Sequence, residues 1–128
     1  METKVPIDHS RNGEINEIAM MKADPAAHPS QPGLVWLGGY RSDMDGTKAL
    51  AMVEEAAALG CASLRFDYSG HGISGGKFVD GTISRWVDES LQVVLKHTQG
   101  PQLLIGSSMG GWIALRLAQE LKARNEHN

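Results

Sequence analysis

Apolar positions along this chain fall into two kinds of run. "LVWLGG" (34–39), "CASLRFDY" (61–68) and "PQLLIG" (101–106) begin with continuous apolar or small residues and do not alternate. Strands buried on both faces read this way. Between them lie segments with helical spacing. "TKALAMVEEAAALG" (47–60) is rich in alanine, has Thr47 or Asp45 to cap its start, and closes on Gly60. "TISRWVDESLQVVLKHT" (82–98) places Val87, Leu91, Val94 and Leu95 on one face. "SMGGWIALRLAQELKAR" (108–124) reads as a third helix. A short strand is expected upstream over "EINEIAMMK" (14–22), followed by a proline-rich loop, "ADPAAHPSQPG" (23–33).

From residue 34 the order is strand, helix, strand, helix, strand, helix. Short apolar strands alternating with helices predict an α/β domain with a parallel sheet. Such sheets place their chemistry at the carboxyl ends of the strands. Three loops reach that edge: "GGYRSDMDG", "DYSGHGISGG" and "GSSMGG".

The third loop carries G-x-S-x-G, from Gly106 to Gly110, with Ser108 at its centre. It joins an apolar strand to a helix, the context of a nucleophile elbow. The turn is so sharp that strand and helix pass within contact distance two residues either side of the centre. Gly106 and Gly110 would supply the missing Cβ. Ser108 would then stand above the sheet, at a helix N-terminus that favours developing negative charge. Centring the pattern on Ser107 would put Ile105 and Met109 at the small positions, so Ser107 is read as a packing residue. The alternative is a glycine-rich turn with incidental serines.

Acyl transfer needs two N–H donors for the tetrahedral oxygen. One follows the nucleophile, here the Met109 amide. The other comes from the loop after the preceding central strand, and the first amide past Gly38-Gly39 is that of Tyr40. A plain glycine turn is the competing reading.

Composition narrows the partners. The 128 residues amount to one domain, with 41% hydrophobic and 21% charged residues. A net charge of −3 gives no basic surface for nucleic acid. Cys61 is the sole cysteine, which excludes an internal disulfide and a multi-cysteine zinc site. Its apolar run makes it a buried structural thiol. No run reaches the ~18 apolar residues of a membrane span. "METKVPIDHSRNGE" has neither an apolar signal core nor the arginines of a transit peptide, so cytoplasmic residence is expected.

Together "WLGGYRSDMDGTKA", "RFDYSGHGISGG", "DGTISRW" and "GPQLLIGSSMGGW" resemble the α/β-hydrolase fold. Within it they are most similar to the branch containing the mitochondrial palmitoyl-protein thioesterase, also described as an acyl-glucuronide esterase, and its bacterial relatives. The resemblance covers residues 32–124, with four motifs in order. It implies a serine hydrolase of carboxylic esters or thioesters that needs no metal or cofactor. Ser108 would be the nucleophile, with Tyr40 and Met109 as oxyanion donors.

That family places its triad acid and histidine well after the serine, whereas 20 residues follow Ser108 here. A helix over 108–124 carries the chain about 24 Å from Ser108. The four residues beyond it span at most ~14 Å, too little to return the His127 ring. Glu120 and Glu126 fail as the triad acid for the same reason. His97 falls at the opposite end of the sheet, and His9 and His28 in the N-terminal part. His71 lies in a loop on the reactive edge and is read as a loop or pocket residue rather than a substitute base. The expectation is therefore the N-terminal part of one hydrolase domain (1–128), inactive or nearly so by itself. The alternative is a non-catalytic remnant or interaction fragment, self-associating through the open edge of the last strand. A literal G-x-G-x-x-G at Gly70, Gly72 and Gly75 suggests dinucleotide binding, with Asp88 or Glu89 as its acid. Another turn follows it before any helix, which removes the phosphate-binding geometry.

Overall fold

The computed structural model describes residues 2–9, 14–24 and 31–127. Its strands are β1 (Glu2–His9), β2 (Glu14–Ala23), β3 (Gly33–Leu37), β4 (Ser63–Phe66) and β5 (Gln102–Gly106). Its helices are α1 (Thr47–Leu59), α2 (Ile83–His97) and α3 (Met109–His127). The strands form one sheet in the order β1-β2-β4-β3-β5. β4, β3 and β5 are parallel, while β2 runs antiparallel to both β1 and β4. The carboxyl ends of β3, β4 and β5 therefore share one edge, as the alternation of strands and helices required.

The pleat sorts the apolar runs between two layers. Val35, Leu37, Leu64 and Phe66 point to the face packed against Val87, Leu91 and Val94 of α2 and Ile113 and Leu117 of α3. Leu34 and Trp36 point the other way, onto Ala49, Met52 and Ala56 of α1, with the buried thiol of Cys61. A strand buried on both faces cannot alternate in polarity, and all five residues of β3 are buried.

Helix ends follow local chemistry, with one exception. Gly60 closes α1 in the left-handed conformation at φ 73°. The Thr82 side chain caps α2 by accepting from the Arg85 amide at 3.1 Å. Neither Thr47 nor Asp45 caps α1. Its N-cap is Gly46, and the Asp45 carboxylate is drawn to Arg65 at 2.7 Å.

Three other expectations change. The strand β1 was not anticipated; it exists by pairing with β2 along its whole length. Leu95 is exposed, while the buried face of α2 keeps Val87, Leu91 and Val94 as expected and adds Trp86 and Val93. β5 is half-exposed rather than buried, with Leu103 54% exposed, and among the described residues it pairs only with β3, the open edge anticipated for the last strand. Most of the proline-rich loop, His28 included, lies outside the described residues.

Candidate active site

β5 ends at Gly106 and α3 begins at Met109, so the strand-to-helix turn is two residues long. Ser108 occupies it at φ 57°. A left-handed backbone costs an L-residue about 1–2 kcal/mol. It persists only where the surroundings over-determine it, as functional sites do. The flanking glycines show what holds it. A Cβ on Gly110 would lie 1.9 Å from the Leu37 carbonyl oxygen, and one on Gly106 would lie 2.2 Å from that of Gly110. No side chain fits at either position. The Ser108 side chain itself stands exposed above the sheet.

The Gly110 and Gly111 amides are taken by the carbonyls of Ser107 and Ser108, both at 2.9 Å. The Met109 amide opens α3 and has no hydrogen-bond partner among the described residues. The Tyr40 amide is likewise unengaged among them. Tyr40 sits in a turn closed by the Ser42 amide donating to the Gly39 carbonyl at 3.1 Å. A Cβ on Gly39 would lie 3.9 Å from that of Ser108, so the two loops meet there. An open cleft of about 390 Å³ runs between them, lined by Gly39, Tyr40, Ser42, Thr47, Lys48, Ser107 and Ser108 among others. Ser107 is half-buried, and its Oγ accepts from Lys48 Nζ at 3.1 Å; it anchors a cation rather than only packing.

Buried polar side chains hold these loops, and the sequence pattern did not reveal them. Asp67 Oδ1 accepts from the Met44 amide at 2.7 Å, and Oδ2 from the Ile73 amide at 3.1 Å. Burial raises the Asp67 carboxyl above its usual range despite those bonds. Arg65 Nη1 donates to the Met44 carbonyl at 2.7 Å, and the Tyr68 hydroxyl to the Gly38 carbonyl at 2.9 Å. Burial, then the nearby Glu89, pushes the Tyr68 phenol up. Glu89 accepts from the Ser69 amide at 2.8 Å and the Ser69 hydroxyl at 2.5 Å. Burial outweighs those bonds and lifts its carboxyl to about 7. Glu89 is thus a tether for the glycine-rich loop, not a ribose acid. That loop runs into a single 3₁₀ turn at Phe78–Asp80 before α2 begins.

Neither described histidine ring bonds to Ser108. His71 is buried among Tyr68, Phe78 and Trp86, with Nδ1 donating to the Ser69 carbonyl at 3.1 Å. Its Nε2 is sealed from solvent and has no hydrogen-bond partner among the described residues. His97 lines a pocket at the amino ends of β3, β4 and β5, with Gly33, Ser63 and Gln102. Burial, then Lys22 and Lys96, lowers its basicity. α3 continues to His127, about 27 Å along the helix axis from Met109. Among the described residues, no group of three or more His, Cys, Asp or Glu could hold a metal, and no helix is long and apolar enough to cross a membrane.

Residues 34–127 match the family model described as serine aminopeptidase, S33. The human palmitoyl-protein thioesterase ABHD10, mitochondrial, is 46% identical over 87 residues, 68% of this chain and 28% of its own length. A candidate hydrolase from Agrobacterium vitis S4 superimposes with TM-score 0.89 at 52% identity, covering 96% of this chain and 46% of that one. Alpha/beta hydrolase domain-containing protein 10 from mouse superimposes with TM-score 0.77 at 35% identity, over 91% of this chain and 44% of its own. The fold is thus the α/β-hydrolase fold, and the chain spans under a third of the curated relatives' length. The curated relatives are named as mitochondrial, which overturns the expectation of cytoplasmic residence. An address is a separable segment, and the matched residues are folded core, on which location leaves no mark.

Proposed function

Because the chain belongs to the serine aminopeptidase S33 family and is a hydrolase by that membership, we propose that it carries the nucleophile and oxyanion elements of an ester or thioester hydrolase. Ser108 attacks an acyl carbonyl. The Met109 and Tyr40 amides receive the oxyanion, and water later releases the acyl group from Ser108. The observation that carries this is the left-handed Ser108, held between two glycines that admit no Cβ. The thioesterase names of the curated relatives favour an acyl ester or thioester, small or protein-borne, over a peptide. No metal or cofactor enters the scheme. Neither described histidine ring, that of His71 nor that of His97, bonds to Ser108, which supports negligible turnover by this chain alone.

The test is labelling of the purified chain with an uncharged fluorophosphonate, with Ser108→Ala as control. No labelling of a folded sample supports an elbow lacking its base. Labelling lost in Ser108→Ala means an activated serine already exists and overturns the inactive reading. Labelling that survives in Ser108→Ala overturns Ser108 as nucleophile.

A second reading, an interaction fragment, is favoured by the open side of β5 and by exposed Leu103, Trp112 and Leu115 nearby on β5 and α3. Sedimentation over a hundredfold concentration range decides it, since a monomer throughout removes self-association.

A further inference from the structure

Arg41 has a backbone as unusual as that of Ser108. Among the described residues these two alone are non-glycine with positive φ, and Arg41 lies at 56°. The reason is local. The Ser42 amide closes a four-residue turn onto the Gly39 carbonyl, with Arg41 at its third position. Positive φ there belongs to glycine or asparagine. An arginine pays a steric penalty for that place, and such strain points to a task for its side chain.

The side chain has a defined seat. The guanidinium carbon lies 4.7 Å from the centre of the Phe78 ring and 5.7 Å from that of Tyr40. The two rings meet edge to face at 5.1 Å. A guanidinium held over ring faces keeps its N–H donors available to an anion. Arg41 is exposed and forms no ion pair or hydrogen bond among the described residues. It directly follows Tyr40, beside the cleft that contains Ser108.

We propose that Arg41 is a specificity-determining residue that binds an anionic oxyacid group, carboxylate or phosphate, on the substrate. It would select esters or thioesters carrying that charge near the reacting carbonyl. This rests on the reading of Ser108 as the nucleophile. A planar fork held on an aromatic face matches the two oxygens of a carboxylate or phosphate.

The test is binding, which needs no turnover. The Ser108→Ala chain is titrated with monomethyl glutarate, its uncharged dimethyl ester, and methyl phosphate, following the Tyr40 backbone amide resonance, which every Arg41 variant retains, at low salt. The expected result is about tenfold tighter binding of the charged ligands than of the diester, weakening as salt rises. The tighter of the two anions identifies the oxyacid. Arg41→Gln should erase the preference, and Arg41→Lys should restore part of it. Arg41→Gly should erase it while raising stability, which separates recognition from folding. Equal binding of monoester and diester by the parent chain overturns the proposal. So does a preference that survives Arg41→Gln, which would assign it to Lys48. Fluorophosphonate labelling that survives in Ser108→Ala would instead defeat the reading of Ser108 as nucleophile and leave the anion site standing.

Discussion

Replacing Ser108 by glycine should make the folded chain more stable, and the size of the gain can be worked out. At φ 57° a Cβ costs about 1–2 kcal/mol. Glycine removes that cost but adds about 0.4–1 kcal/mol of unfolded-chain entropy. The proper reference is Ser108→Ala, which also lacks the hydroxyl, so side-chain hydrogen bonding cancels. Ser108→Gly should then exceed Ser108→Ala by about 1 kcal/mol in urea unfolding, with unchanged slope. Position 107 is the internal control, because it has no positive φ. There glycine should be the less stable of the pair by ~0.4–1 kcal/mol. If glycine at 108 is no better than alanine, the backbone is not held left-handed in solution. The elbow reading of the turn then falls.

Gly110→Ala places a Cβ 1.9 Å from the Leu37 carbonyl oxygen and should destabilise by about 3 kcal/mol or more. Gly111→Ala, with 3.8 Å to its nearest neighbour and a helical position, should stabilise by ~0.5–1 kcal/mol; urea midpoints of the two variants check the contrast. The Glu89 carboxyl titrates at about 7 when folded against an ordinary 4.5. The folded chain therefore holds that proton more tightly, and stability falls as pH rises from 4.5 to 7, by up to about 3 kcal/mol. Unfolding midpoints at pH 5 and pH 8 should show the fall, and Glu89→Gln should flatten it. Asp67→Asn leaves one oxygen for two amides, those of Met44 and Ile73. The lost bond should cost about 1–3 kcal/mol and speed amide exchange at one of those positions.

What the sequence made legible was whatever residue type alone decides. Glycines at 106 and 110 report a steric demand wherever they occur, and Ser108 was readable because those glycines frame it. Gly60 marks a helix end through bonds within one turn of itself. The failures share a different cause. Whether the faces of "PQLLIG" are covered depends on what packs beside them, which leaves no local trace; Leu103 is exposed, although the open edge of β5 was anticipated. β1 depends on its pairing with β2 rather than on a pattern of its own. Asp45 was expected to cap α1, but an arginine 20 residues away competes for its carboxylate. Ser107 read as packing because its partner, Lys48, is 59 residues distant.

The same distinction explains why three charged residues are buried where the apolar pattern predicted only core. Arg65, Asp67 and Glu89 bear a desolvation penalty that apolar side chains would avoid. Each bonds to the backbone of a loop at the carboxyl edge of the sheet. Asp67 and Arg65 fix Met44, three residues after Arg41. Tyr68 fixes Gly38, two residues before Tyr40. The short turn between, with its strained Arg41 and its unengaged Tyr40 amide, is thus clamped on both sides. Without clamps a loop could relax its positive φ or turn the amide to a protein partner. A site that must present an unsatisfied donor and a misfit residue in fixed places needs polar anchors outside the turn. Here the anchors come from β4 and the residues that follow it, the rigid centre of the sheet. Buried charge in this fold is therefore part of how the loops are held, and stability is spent where loop position matters most.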